Sequence, residues 1–325
     1  MELKSIVKLQ FTSPLHLGLG LGDHYDTTDK MLHSDTISGA IASQFAIQFP
    51  NKDVLEFMKR YRVSSAFPYH FDTLFLPSPV KKIQVKNNES ESYSSQKKWK
   101  NVEFIDLKVF NEVLKNSYQR FTDDYFSKDG RLLFSQASMN SRTVSKSQVA
   151  QRVTVPRDFS VAVPFFMDRV YFDDNCGLYF YYQIDIEYES LFKDLLKNLG
   201  RSGIGTDKSV GNGQFEPEFT KIELGITQTT DSSLLLSMFC PGKDEINAEI
   251  LGNSFYQLRK RGGYLAGTSI DSFRHLRKKS VFMFIEGSIL NSTDFKGKIL
   301  DVRPNWNDTK LHPVYRDARA FYLPI

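Results

Sequence analysis

A chain of 325 residues has room for two ordinary domains, and 41% hydrophobic with 25% charged residues excludes a fully disordered polymer. Two cysteines, Cys176 and Cys240, exclude a disulfide framework and a cysteine-built metal site, and fit buried thiols in a reducing cytoplasm. A net charge of +4 permits an anionic partner without demanding one, so any nucleic-acid reading rests on where the basic residues cluster.

The chain opens as a predicted strand over residues 3–11, where Leu3, Val7, Leu9 and Phe11 share one parity and Lys4, Lys8 and Gln10 the other. Gly18, Gly20 and Gly22 punctuate the loop that follows, ahead of an acidic stretch from Asp23 to Asp29. Ser34 reads as a helix N-cap with Asp35 in the first turn. Ile37, Ile41, Phe45 and Phe49 recur at helical spacing, and Pro50 ends the helix. Residues 73–76 predict a strand stopped by Pro77 and Pro79. Residues 86–100 turn to Asn, Ser, Glu, Gln and Lys and read as an insertion outside the packed core. A second polar tract, 135–149, contains Arg142 and Lys146 and no acid, and leads into an alternating segment bearing Arg152 and Arg157. The aromatic run 178–186 predicts a strand. Leu191, Phe192, Leu195, Leu196 and Leu199 predict a helix closed by Gly200 at its C′ position.

The most informative segment comes next. Gly203, Gly205, Gly211 and Gly213 enclose Lys208 and Ser209, ahead of a strand predicted over 219–226. Glycine permits positive φ and leaves peptide N–H groups uncovered, the makings of an anion-binding concavity. The spacing is not that of a P-loop, and a Rossmann loop would follow a strand and open a helix, whereas this one follows a helix and precedes a strand. An ordinary glycine-rich connection is the competing structural reading. The element order, strand–helix–strand, a long insert-bearing middle, then helix, glycine loop and strand, is the βαββαβ order of a ferredoxin-like domain with additions.

After a linker at 227–231 a second, smaller unit is expected, with strands at 234–239, 281–285 and 319–323. Between them lie Arg259, Lys260 and Arg261, then Arg274, Arg277, Lys278 and Lys279, with Asp271 the one acid from 259 to 279. Such runs are either solvated faces or phosphate contacts. The reading is therefore an α+β protein with two ferredoxin-like (RRM-like) domains, residues 1–228 and 229–325.

The glycine loop, placed after a helix and before the last strand of such a domain, resembles the signature loop of the RAMP superfamily of CRISPR RNA-binding proteins. Pro14 to Gly18 with His33 to Ile41, residues 151–172, and the tail from His312 to Ile325 are similar to that superfamily's fourth-subunit family in type III-A (Csm) effector complexes. The resemblance spans nearly the whole chain except 86–100. It implies a non-catalytic subunit that grips the 5′ tag of the guide RNA and joins the large polymerase-like subunit to the backbone RAMP subunits. It also implies a β-hairpin thumb, here the acid-free stretch from Arg142 to Arg157. The RNA-contacting residues expected on this reading are Gly203, Gly205, Lys208, Ser209, Gly211 and Gly213 of the loop. Arg142, Lys146, Arg152 and Arg157 of the thumb join them, with Arg259, Lys260, Arg261, His16 and Ser34. No cofactor, metal or membrane partner is expected, since no apolar run approaches the roughly 18–20 residues of a span and residues 1–11 lack a signal-peptide core.

Catalytic alternatives are weaker. His16, His24 and His33 with Asp23, Asp26, Asp29 and Asp35 read as an acidic loop and a helix start rather than a metal cluster. Backbone RAMP subunits cut RNA with an early Asp, for which Asp35 is the counterpart to consider. A guide-processing RAMP nuclease using His16 as general base is the enzymatic alternative, but its glycine loop lies near the C-terminus, and over a hundred residues follow Gly213 here. A small-molecule nucleotide-binding domain is disfavoured by the loop order. Tyr179 to Tyr182 invite comparison with an RRM stacking strand, yet the strand starts without the basic residue of that motif and reads as core.

Overall fold

The structure, a computed structural model, describes residues 3–19, 25–80, 100–114, 122–137, 139, 142–155, 161–225, 230–265, 273, 275–305 and 311–325. Arg157, Arg274, Asp23, His24, nearly all of the 86–100 tract and most of the 227–231 linker lie outside the described residues.

Strand β1 (Leu3–Phe11) leads through a loop into α1 (Ser34–Gln48), then α2 (Val54–Lys59), β2 (Tyr61–Val63), β3 (Phe67–His70) and β4 (Thr73–Pro77). β5 (Phe104–Asp106), α3 (Leu107–Leu114) and β6 (Leu132–Leu133) extend the sheet edge. A hairpin of β7 (Ser145–Thr154) and β8 (Val163–Phe172) precedes β9 (Cys176–Ile184), α4 (Glu189–Ser202) and β10 (Phe215–Glu223). The sheet order is β10-β1-β9-β3-β4-β5-β6, with β2 also on β9. Its first four strands are all antiparallel, with β1 and β9 central and helices α1 and α4 in the two crossovers. That is the ferredoxin-like arrangement, with β4 to β8 inserted between its second and third strands.

Both faces of this sheet are covered. Val7, Leu9, Phe180 and Tyr182 point to one side, against Ile37, Ile41 and Phe45 of α1 and Phe192, Leu195 and Leu199 of α4. Ile6, Tyr179 and Tyr181 point to the other, against Phe75, Phe104, Leu234, Phe321 and Leu323. A strand buried on both faces reads as a continuous apolar run, which is why β9 is aromatic at both parities. The Tyr179 hydroxyl donates to the Phe75 carbonyl (2.7 Å) and lies 3.4 Å from that of Tyr181, so these rings are core and offer no stacking platform.

The second unit contributes that cover. β11 (Ser233–Leu235) is flanked by β14 (Ile289–Leu290) and β17 (Tyr322–Pro324), while α5 (Ala248–Gly252), β12 (Leu258–Arg261), β13 (Val281–Phe284), β15 (Gly297–Asp301) and β16 (Tyr315–Arg319) complete it. Its sheets are short, and α5 is its one α-helix among the described residues; a ferredoxin-like unit carries two. Two predicted termini move. His33, not Ser34, is the N-cap residue of α1, and its side chain makes no capping bond. α4 runs past Gly200 to Ser202, with Gly203 as its C-cap at φ +83°; Gly200 is instead a buried close approach to the Phe215 backbone.

Candidate nucleic-acid interface

Three peripheral features meet on the chain leaving β1. The first is the glycine loop. Gly203, Gly205, Gly211 and Gly213 all have positive φ, as does Asp207. Ile204 N–H donates to the Gly213 carbonyl (2.9 Å), Thr206 N–H to His16 (3.0 Å) and Gly213 N–H to Pro14 (2.8 Å). A Cβ on Gly203 would collide with the Asn212 carbonyl, on Gly205 with that of His16, and on Gly213 with that of Ile204. These three glycines therefore serve the closure of the loop on itself and on the β1 exit. Gly211 differs, with nothing within 4 Å of the place a Cβ would occupy. It ends a single 3-10 turn, Lys208–Val210, whose residues are exposed. The outward part of the loop is thus Lys208, Ser209 and Gly211.

The second feature is the β7–β8 hairpin. Its ten residue pairs run from Ser145↔Phe172 to Thr154↔Val163, and among the described residues it joins no other strand by a ladder. One face carries Lys146, Gln148 and Arg152 opposite Tyr171, Arg169 and Phe165. The other carries Val149, Val153 and Phe166, each more than half exposed. Its root is fixed by the Leu15↔Val170 bridge, by Asp168 N–H to the Tyr25 carbonyl (2.8 Å), and by the Asp168 carboxylate, which accepts from Ser147 Oγ and Thr28 N–H. Arg142 sits at the base, its N–H on the Met139 carbonyl (2.9 Å). A cavity of about 640 Å³ opens beside this root; of the cations lining it, Lys30 and Arg131 both pair with Glu103, and Lys146 lies 3.6 Å from Asp173.

The β1 exit itself is the third. His16 is buried, with Nδ1 donating to the Asp168 carbonyl (2.6 Å). It thus links the two other features from inside and is not presented to a ligand, contrary to its expected RNA contact.

Ser34, Arg259 and Arg261 also leave the interface, for a reason the structure makes plain. Strand β12 alternates: Lys260 points to solvent while Arg259 and Arg261 turn inward. Arg259 grips Asp29 with both terminal nitrogens (2.6 and 3.3 Å), and Arg261 grips Asp35 through Nη2 and Nε (2.9 and 3.1 Å). Arg316 Nε lies 3.5 Å from Asp35 and its terminal nitrogens donate to the Arg261 and Gly262 carbonyls. Ser34 Oγ accepts from Met238 N–H (3.0 Å), and Ser38 Oγ donates to Asp317 (2.9 Å). His33 Nδ1 meets Glu286 at 2.9 Å, while Glu286 also accepts from Ser65 Oγ. Apart from the Arg316 bonds to the Arg261 and Gly262 carbonyls, each of these contacts joins the first unit to the second. Asp35, its carboxylate 3% exposed, is held between two guanidinium groups.

Burial works against charge throughout this seam, yet the partners win. His33 is pushed up to about 9 by the Glu286 carboxylate and the bond to Asp29, against its burial. Asp29, Asp35 and Glu286 are held below the usual carboxylate range, against their burial, by His33 and the arginines. Burial also pushes the Cys176 thiol up to about 11, the state of an inert structural cysteine. Among the described residues no helix is long and apolar enough to cross a membrane. Sequence reading found the loop, the basic runs and, in the stretch from Arg142 to Arg157, the first strand of the β7–β8 hairpin. It missed the seam, whose ion pairs join residues more than 200 positions apart and leave no local signal.

The family described as the CRISPR Csm4 C-terminal domain matches residues 228–325. The CRISPR system Cms protein Csm4 of Thermococcus onnurineus (strain NA1) is 26% identical over 278 residues, covering 80% of this chain and 81% of that protein. Its counterpart from Streptococcus thermophilus is 24% identical over 250 residues, covering 75% of each. The fold matches a chain in the crystal structure of a Csm3–Csm4 subcomplex of the type III-A interference complex, with a TM-score of 0.67, 19% identity and 99% of both chains covered. It also matches a chain of a Csm1–Csm4 cassette crystallised with cA4, with a TM-score of 0.62, 20% identity, and 100% and 98% covered.

Proposed function

Because the chain belongs to the Csm4 family of RAMP proteins, we propose that it is the non-catalytic subunit of a type III-A complex that grips the 5′ tag of the guide RNA and joins a Csm1-type large subunit to a Csm3-type backbone. The observation that carries this reading is the convergence on residues 14–16. The glycine loop hangs from the carbonyls of Pro14 and His16, and the thumb is bridged to Leu15. Lys208, Ser209 and Gly211 therefore stand on the same short segment that roots Lys146 and Arg152. An extended RNA backbone crossing that segment meets cations from both sides, with the apolar flank of the thumb, Val149, Val153 and Phe166, available to pack on bases. Phosphate contacts would supply the affinity and the bases the register.

The test is binding of repeat-derived RNA, with and without its 5′ tag, to the purified chain in EDTA. Tag-dependent binding without cleavage is expected. Cleavage would move the protein to the processing nucleases, and equal affinity for both RNAs would remove the tag from the reading.

A further inference from the structure

We infer that the outer face of the β12–β13 ribbon is a second single-stranded RNA surface, on which bases stack against Phe282 and Tyr256 while Lys260 and Arg277 hold phosphates. The face is far in sequence from the glycine loop and thumb, and the inference goes beyond the tag-gripping reading.

Antiparallel register places Lys260 opposite Phe282 and Leu258 opposite Phe284. On this side Phe282 is 63% exposed and Leu258 52%, whereas Met283, on the other parity, is fully buried. A contiguous exposed apolar patch rimmed by charged groups marks an interaction site, and Phe282 with Leu258 diagonally beside it forms the start of one. Tyr256, itself 37% exposed, sets its ring edge against Phe284, with centroids 5.1 Å apart, so the rings continue along the ribbon. Beyond Gly262 the ribbon goes on to the Tyr264↔Arg277 bridge, where the Arg277 guanidinium lies 5.1 Å over the Tyr264 ring and donates to its hydroxyl (3.0 Å). A guanidinium already stacked on a ring is ordered for a phosphate or a further base.

Charge selects the occupant. The inward arginines of the run are neutralised by Asp29 and Asp35, but Lys260, Arg277 and Lys279 are exposed, and none pairs with a carboxylate among the described residues. Lys278, behind them, is held below the ordinary lysine range by burial and by the Arg316 cation. Two exposed rings, Phe282 and Tyr256, with the Lys260 and Arg277 cations beside them, match an unstacked RNA strand. A protein partner for the same face would have to be acidic and apolar at once.

The test uses the full chain, a fluorescent oligouridylate and an RNA duplex of equal length. Phe282→Ala and Phe282→Leu should each weaken single-strand binding by about fivefold or more, because leucine keeps the apolar bulk and loses the ring. Lys260→Ala should make the log–log salt dependence shallower by about 0.7. Duplex binding should change little, and ultraviolet crosslinking should mark the Phe282 or Tyr256 peptide. Wild-type affinity in Phe282→Ala and Lys260→Ala overturns the inference, whether or not Arg152→Ala in the thumb weakens tag binding. That pattern would assign the face to a protein. Loss in the thumb variant alone would leave the tag reading standing without this one, and loss in the ribbon variants alone would do the reverse.

Discussion

The thumb and the seam draw on the same residue types and put them to opposite uses. The thumb stands apart as two strands, with Lys146 and Arg152 in water and valines and a phenylalanine exposed beside them. The seam takes Arg261, Arg316 and His33 out of water and Arg259 partly so, and matches each to a carboxylate across the junction of the two units. An exposed cation is left for an external anion when no carboxylate stands beside it among the described residues, as for Arg152, or only a long solvent-exposed pair is made, as by Lys146 with Asp173. A buried pair instead fixes one arrangement of two units and is satisfied before any ligand arrives. Strand alternation decides which fate a residue meets: Lys260 and its two arginine neighbours are consecutive in sequence and lie on opposite faces.

The sharpest break in this comparison is Arg261→Met. Asp35 would keep only Arg316, at 3.5 Å, and an uncompensated buried carboxylate costs about 3–5 kcal/mol. Urea unfolding should show that loss, while the folded fraction should bind RNA as the unsubstituted chain does. A variant of normal stability and weak RNA affinity would move Arg261 back to the interface.

The pH dependence of the seam comes next. The folded pKa of His33, about 9, lies above its ordinary 6.5, so its stabilisation is complete below about 6.5 and is lost as pH rises through 9. The shift corresponds to on the order of 3 kcal/mol. Asp29, Asp35 and Glu286 act in the other direction, their contribution present above the usual carboxylate range and lost as pH falls through their depressed values. Urea midpoints should therefore be flat in mildly acidic buffer and decline toward pH 9. His33→Gln should remove the alkaline decline.

How much of this was legible in the chain depends on the range of the interaction. β1, α1 and the β9–α4 segment could be read from spacing, because their periodicity reports the face they bury. α2 was missed although Asp53 caps it, since six residues carry too little pattern. Gly200 looked like a helix end because a C′ glycine and a glycine at a close helix–strand approach are the same letter; Gly203 holds the cap. The glycine loop was legible as a motif, but its division into closing and outward positions depends on carbonyls at His16 and Ile204 that spacing does not reveal. That division is testable. Gly213→Ala drives a Cβ into the Ile204 backbone at φ +74° and should cost about 3 kcal/mol. Gly211→Ala meets open space and should cost about 1–2 kcal/mol through its left-handed backbone alone. Any loss of RNA affinity in the folded fraction should belong to Gly211. The reverse ranking would place the phosphate contact inside the loop.

The smallest effect on stability is expected in the thumb, where the functional reading carries the most weight. Arg152 is exposed on a two-stranded ribbon, so Arg152→Ala should change folding stability by no more than about 0.5 kcal/mol. Lys146→Ala should behave alike, because its pair with Asp173 is 3.6 Å long and solvent-exposed. If each side chain neutralises one guide phosphate, each substitution should reduce the log–log salt slope of guide binding by about 0.7, and the double variant by about twice that. Additive slopes with unchanged melting temperature would define two separate phosphate contacts on one scaffold. A melting temperature that fell while the slope held would instead give the thumb a part in holding the molecule together, and the contrast with the seam would vanish.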